Sequence, residues 1–290
     1  MMTTQECGNN CEPFSIAVLM TVHNRCSLTI KCVKNILSQK VNNIKLYIVD
    51  DGSTDGTHEA LNNYSSEITV IQGNGNLFWN RGMHLAWKTA TKDSPDYYLW
   101  LNDDTTLMAN SISRLLSCSK LLQDKSIIVG STYASKKNKV LSYGGRMKVH
   151  NNPFVAPDNN VPVECDTFNG NIVLIPRSVF EKVGYNDNFY HHSFGDFDYG
   201  IVAGLNGIKS YVAPGFYGYC ERNNPIPCFR RKCYTVIKRY KLLYSPWGHN
   251  PIEDYHLNRK FLPLWLCMWY FIKLHINVLF AIDHTKYENV

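Results

Sequence analysis

Apolar residues fall in short runs that stop at polar turn formers, and stretches with helical spacing separate the runs. Residues 15–21 make an apolar run of strand length, and 28–39 then carry apolar positions at helical spacing. Residues 44–49 predict a second buried strand that ends in Asp50-Asp51-Gly52-Ser53-Thr54-Asp55-Gly56, a cluster of turn formers ahead of a short helix. Further strands are predicted over 68–71, 97–101 and 127–132, with helices over 80–91 and 110–123. This alternation predicts an α/β fold, a mostly parallel Rossmann-like sheet covered by helices on both faces. After Thr132 the rhythm changes. Residues 140–149 and 161–168 predict β-structure around the Asn- and Pro-rich loop 151–160. A strand over 172–175, helices over 178–183 and 194–205, and a last strand over 208–212 follow. Beyond Pro214 the alternation stops.

At 290 residues the chain has room for one large α/β domain and a tail. The expected division is a flexible N-terminus over 1–13, a domain over 14–220 with halves at 14–106 and 107–220, and a tail over 221–290. The start of the chain is polar and acidic, without the basic and apolar stretches of a secretion signal, so the expected location is the cytoplasm. The ten cysteines are expected to be reduced thiols, and their spacing lacks the paired C-x-x-C of a zinc site. Charge is uneven. Ten of the 30 Lys and Arg residues but only two of the 24 Asp and Glu residues lie between Arg222 and Lys273, so the rest of the chain is slightly acidic. Residues 229–241 hold six basic residues and no acid, and 261–282 are strongly apolar, broken by Pro263, Lys273, His275 and Asn277. An interior charge suits a helix lying in the interface of an anionic membrane better than one crossing it. Packing on the domain or a homodimer contact is the alternative. No nucleic-acid-binding motif accompanies the basic stretch, and nucleic acid is set aside.

Ligands of open parallel sheets bind beyond the carboxyl ends of the strands, so the polar residues there are the candidates for chemistry. They are Thr21, His23, Asn24 and Arg25 after the first strand, Asp50 and Asp51 after the second, Gly73-Asn74-Gly75-Asn76 leading to Arg81 after the third, and Asn102-Asp103-Asp104 after the fourth. A DG dipeptide is by itself a turn. Two adjacent carboxylates at a strand end repel each other, and hard oxygen donors of this kind suit Mg²⁺ or Mn²⁺; solvated acids capping the next helix are the bland alternative. The first strand is followed by T-V-H-N-R rather than G-x-G-x-x-G, which excludes a dinucleotide-dependent dehydrogenase.

Taken together, VLMTVHNR, YIVDDGSTDGT, GNGNLFWNRG and LWLNDDT, with FNGN at 168–171, VGY at 183–185 and GDFDY at 195–199, resemble the family 2 glycosyltransferases of GT-A fold. Around GNLFWNRG and FGDFDYG the chain is similar to bacterial rhamnosyltransferase-like enzymes of surface polysaccharides. The resemblance covers roughly residues 14–220. It implies an inverting, metal-dependent hexosyltransferase that moves a sugar from a nucleotide-diphosphate donor to an acceptor hydroxyl, on a glycan or a lipid-linked saccharide at the inner face of the cell membrane. Residues 14–106 would then bind the nucleotide sugar and 107–220 the acceptor. Thr21 would flank the nucleoside, Asp51 or Asp50 would contact the base, and Arg81 would face the base or the diphosphate. Asn24, Arg25, Asn76, Asn102 and Asp103 would complete the donor side. Asp104 matches the metal-binding second aspartate of D-x-D, with Mn²⁺ or Mg²⁺ as its cofactor, and Asp196 matches the catalytic base, with Asp198 as the competing candidate. Two positions depart from the pattern: Asn102 replaces the first aspartate of D-x-D, and Gly195 replaces the glutamate before the base. Those departures keep a second reading open, a non-catalytic module that binds sugar nucleotides or glycans. His191 and His192 are expected to line the acceptor site or to lie on plain surface.

Overall fold

The computed structural model describes residues 14–148, 152–222 and 228–280. The chain begins with four parallel strands and their connecting helices: β1 (Ile16–Val22), α1 (Cys26–Leu37), β2 (Ile44–Asp50), α2 (Thr57–Asn62), β3 (Ile68–Gln72), α3 (Phe78–Ala90) and β4 (Tyr97–Leu101). Ile16 stands opposite both Ile44 and Tyr97, and Leu46 opposite Ile68, so the strands run in step in the order β3-β2-β1-β4. Their carboxyl ends share one edge of the sheet, and the four polar loops read from the sequence lie there side by side.

Next come β5 (Thr106–Leu107), α4 (Ser111–Leu121), β6 (Ile127–Tyr133), β7 (Leu141–Tyr143), β8 (Gly145–Arg146), β9 (Val163–Cys165), β10 (Thr167–Phe168), β11 (Ile172–Pro176), α5 (Arg177–Val183), α6 (Gly195–Leu205) and β12 (Ser210–Tyr219). β11 enters antiparallel between β4 and β6, with Leu174 opposite Leu99 and Ile128, and the ten-stranded sheet becomes mixed. The α/β architecture is the expected one, with the parallel pairing concentrated in the first half. β12 runs on past Val212 to Tyr219 through a bulge at Pro214 and Gly215, where the register shifts and Gly215 takes a φ of +76°. Proline interrupts the ladder there without ending the strand. Val149, His150 and Asn151, at the junction of the expected 140–149 segment and the 151–160 loop, lie outside the described residues, as do 1–13.

Alternation along β1 builds the two cores. Ile16, Val18, Met20 and Val22 pack with Val33 and Ile36 of α1 and Leu115 of α4 on one face. Ala17 and Leu19 pack on the other with Met83 and Trp87 of α3, Trp100 of β4, and Tyr199 and Ala203 of α6. This second core fixes α6, and with it the acidic residues at its start.

The tail forms α7 (Val236–Leu243), α8 (Pro251–Arg259) and α9 (Leu264–Phe280), with Thr235 and Asn250 capping the first two through their side chains. Phe229, Leu243, Leu274 and Val278 make a small core of their own, and Leu257 of α8 packs with Tyr190 and Ile201 on the domain. None of the described helices is long and apolar enough to cross a membrane.

Candidate active site

A cavity of about 1630 Å³ opens at the carboxyl edge of the parallel strands, and its wall draws on the first half, the second half and the tail. Thr21, Arg25, Asp51, Asn102, Asp103 and Asp104 line it from the ends of β1, β2 and β4; Asn24, Asp50, Asn76, Arg81 and Asp198 stand off its wall.

The two acids after β2 do different work. Asp50 is wholly buried, accepting the Ser53 N–H at 3.0 Å, with His58 Nδ1 3.5 Å from its other oxygen. The Asp51 carboxylate accepts the backbone N–H groups of Gly75, Leu77 and Phe78 at 2.8 to 2.9 Å. It thereby shapes the loop into α3, with Phe78 held at a φ of +56°. Asn24 accepts the Thr54 N–H at 2.7 Å, which ties the loops after β1 and β2 together. Arg81 donates to the carbonyls of Asn188 and Phe189 at 3.2 Å each and is turned toward the loop between α5 and α6.

After β4 the three polar residues point three ways. Asn102 Oδ1 accepts the indole N–H of Trp79 at 2.8 Å. Asp103 is buried, takes Thr29 and Arg25 at 3.3 Å each, and is pushed up to about 6 by burial against the pull of Arg25. Asp104 faces the cavity with Arg25 Nη1 at 3.1 Å and the Cys220 thiol at 3.4 Å. Among the described residues no three His, Cys, Asp or Glu side chains gather as a metal site. One cavity-facing carboxylate fits a divalent cation that completes its shell with water and phosphate oxygens, since Mg²⁺ is commonly held by one or two carboxylates plus substrate phosphates. Asp104 would hold it, and Arg25 would yield part of its contact.

Across the cavity, Asp196 opens α6. Its carboxylate accepts the Gly170 and Phe197 N–H groups at 2.9 Å each, and burial raises its pKa in spite of them. Asp198 is buried away from the cavity, 2.6 Å from Lys260 Nζ and 2.9 Å from the Tyr190 hydroxyl. Lys260 also reaches Asp187 at 2.8 Å, His256 reaches the same carboxylate at 2.9 Å, and Glu253 takes both the N–H and the ring of His191. The tail therefore grips the segment that carries Asp196. His192 lines the cavity, its ring 4.5 Å from that of Trp247, and burial with Arg25 nearby pushes it down to about 4, so it is neutral at pH 7.

Gly195 has a steric cause. A Cβ there would lie 1.8 Å from Asn80 Oδ1, and Asn80 is locked by Asp187, Tyr190 and Asn186. The cavity wall formed by the tail, including Trp247, Tyr270, Lys273 and Asn277, went unassigned in the sequence. Lys273 and Asn277, one turn apart in an apolar run, were its only signal. Cys26, Cys32, Cys118, Cys165, Cys220, Cys233 and Cys267 are free; Cys7 and Cys11 lie outside the described residues.

A family model described as Glycosyl transferase family 2 matches residues 17–184. Relatives named uncharacterized glycosyltransferase in Rickettsia typhi and Rickettsia prowazekii are 24% and 23% identical over 192 residues, 62% of this chain and 56% of theirs. The match thus spans little more than half the length of those relatives. Among solved structures, the fold is shared with S. aureus TarS 1-349 in complex with UDP-GlcNAc (TM-score 0.55, 13% identity, 94% of this chain and 74% of that one). It is shared as well with GalNAc-T7 with UDP, GalNAc and Mn²⁺ (TM-score 0.56, 13% identity, 92% and 55%).

Proposed function

The chain belongs to glycosyl transferase family 2, and we propose that it moves a sugar from a nucleoside-diphosphate donor to an acceptor hydroxyl with inversion at the anomeric carbon. Asp104 and Asp196 line one cavity, and that shared wall is the strongest support for the reading. The structures of similar fold with UDP, UDP-GlcNAc and Mn²⁺ agree with it. In this mechanism Asp196 takes the proton of the acceptor hydroxyl as that oxygen attacks the anomeric carbon and the bond to the diphosphate breaks. Two backbone N–H groups aim its carboxylate, and burial raises its basicity. Arg25 and Asp104 face the departing diphosphate, and a divalent cation held at Asp104 would neutralise the charge developing there.

The acceptor we favour is a glycan on a lipid carrier, as in the assembly of a surface polysaccharide, met at the cytoplasmic face of the membrane. α9 exposes Trp265, Trp269, Ile272 and Ile276, and Arg231, Lys232, Lys238 and Lys241 precede it without neighbouring acids. That combination supports docking on an anionic bilayer surface.

Asp196→Asn tests the chemistry. Donor binding should persist while transfer falls by about 10²- to 10⁴-fold. In the native protein the rate should fall with acid as Asp196 protonates, at a pH above the ordinary carboxylate range because its pKa is raised. Transfer at the native rate by Asp196→Asn would remove the base assignment. Donor binding without turnover by the native protein would make it a binding module.

A further inference from the structure

α9 is apolar along its length except for Lys273, His275 and Asn277. His275 is satisfied inside the tail, against the Tyr244 hydroxyl at 2.8 Å and the Phe271 carbonyl at 2.7 Å. Lys273 and Asn277 line the cavity, together with Tyr270 and Leu274. Lys273 stands one turn from Trp269 and Ile276 on the same stripe of the helix, so the charged rim of the cavity is continuous with the exposed apolar face of α9.

Other cations share that cavity. Arg230 and Arg231 enter from the start of the tail and Lys148 from the end of the 144–148 segment, its Nζ 4.7 Å from the Phe261 ring centroid. Most of the acids on the wall are already engaged. Asp51 holds three backbone N–H groups, Asp103 and Asp104 share Arg25, and Asp254 takes His249 and Asn258. Asp196 takes the Gly170 and Phe197 N–H groups, and among the described residues Lys273 and Arg231 enter no ion pair. A neutral hydroxyl acceptor needs no such excess of positive charge, and the donor's diphosphate already has Arg25. Apolar surface from Phe261, Leu262 and Leu274 adjoins the cations.

We propose that Lys273 and Arg231, with Lys148, bind a phosphate or diphosphate group on an amphiphile whose apolar chain runs along Phe261, Leu262 and Leu274 toward the exposed face of α9. Calling this molecule the acceptor rests on the sugar-transfer reading; the site itself does not.

The test is calorimetric titration of the full chain with farnesyl phosphate, farnesol and inorganic pyrophosphate. The proteins compared are the native one, the double variant Lys273→Met with Arg231→Met, and Lys92→Met as a surface control. The double variant should bind farnesyl phosphate at least roughly tenfold more weakly, as loss of charge-assisted contacts implies. Farnesol binding and the Lys92→Met protein should be unchanged. Both substituted side chains lie at the cavity rather than in the core, and an unchanged melting temperature excludes unfolding as the cause. Native affinity of the double variant for farnesyl phosphate overturns the site. Pyrophosphate binding as tight as farnesyl phosphate, and equally weakened, overturns the amphiphile in favour of a free phosphate. All of these readouts are free of turnover, so a native protein that bound donor without transferring sugar would refute the sugar-transfer reading and leave them standing.

Discussion

Replacing Lys260 with methionine strands a buried charge. Lys260 Nζ lies 2.6 Å from Asp198 Oδ1, and the Asp198 side chain is 3% exposed while that of Lys260 is 23% exposed. Removing one member of a buried pair costs about 3 to 5 kcal/mol, and partial solvation of the lysine brings the expectation to about 2 to 3 kcal/mol at pH 7. For a domain of this size that lowers the melting temperature by about 4 to 10 °C. The pH dependence has a definite sign. Burial raises the Asp198 pKa in the folded protein and Lys260 lowers it, so the variant raises it further. A group with a raised folded pKa loses stability as pH rises through that value, so the deficit of Lys260→Met should widen from acid toward neutral pH. Adding Asp198→Asn to the variant should recover part of the loss, since a neutral amide needs no cation and still accepts the Tyr190 hydroxyl. Urea unfolding at several pH values measures all three proteins. A Lys260→Met protein within about 0.5 kcal/mol of the native one would refute the view that Lys260 compensates the buried Asp198 carboxylate.

Asp104→Ala should abolish the divalent-dependent part of donor binding with little change in stability, because its carboxylate faces the cavity; unchanged donor affinity in the presence of Mn²⁺, by titration, would count against it. Gly195→Ala should destabilise by at least about 1 to 3 kcal/mol, because its Cβ would meet Asn80 Oδ1 and Asn80 cannot turn away; an unfolding curve like that of the native protein would contradict this. Trp265→Ser with Trp269→Ser should release the chain from anionic vesicles at low salt, while the native chain should lose binding only partly as salt rises. Co-sedimentation measures both, and a native chain left in the supernatant would turn α9 into a packing or dimer helix.

The donor half was legible because each of its strands is an apolar run ended by polar residues, and parallel strands in step bring those ends to one edge. What periodicity could not supply was the direction of each side chain. Asp50 and Asp51 are adjacent, yet a period of two sends one beneath the sheet edge and the other to the cavity. Asp196 and Asp198 differ in the same way around the first turn of α6, and only the position of Lys260, far along the chain, sets the second apart. The bulge at Gly215 hid the length of β12 because a proline in a strand ordinarily marks its end. The tail read as a separate anchor because its charge and apolarity are local, whereas its contacts with Asp187, His191 and Asp198 are not.

Asn80 and Gly195 occupy what is in effect one volume, and this constrains how the sequence can change. A glutamate at 195 becomes admissible only once position 80 gives up its amide, but Asn80 truncated alone would leave the carbonyls of Asp187 and Tyr190 without their donor. Either single step passes through a less stable protein, by collision in one order and by an unpaired buried group in the other. The two positions are therefore expected to drift as a couple, and a graft of the acidic pair onto this scaffold would need both changes at once.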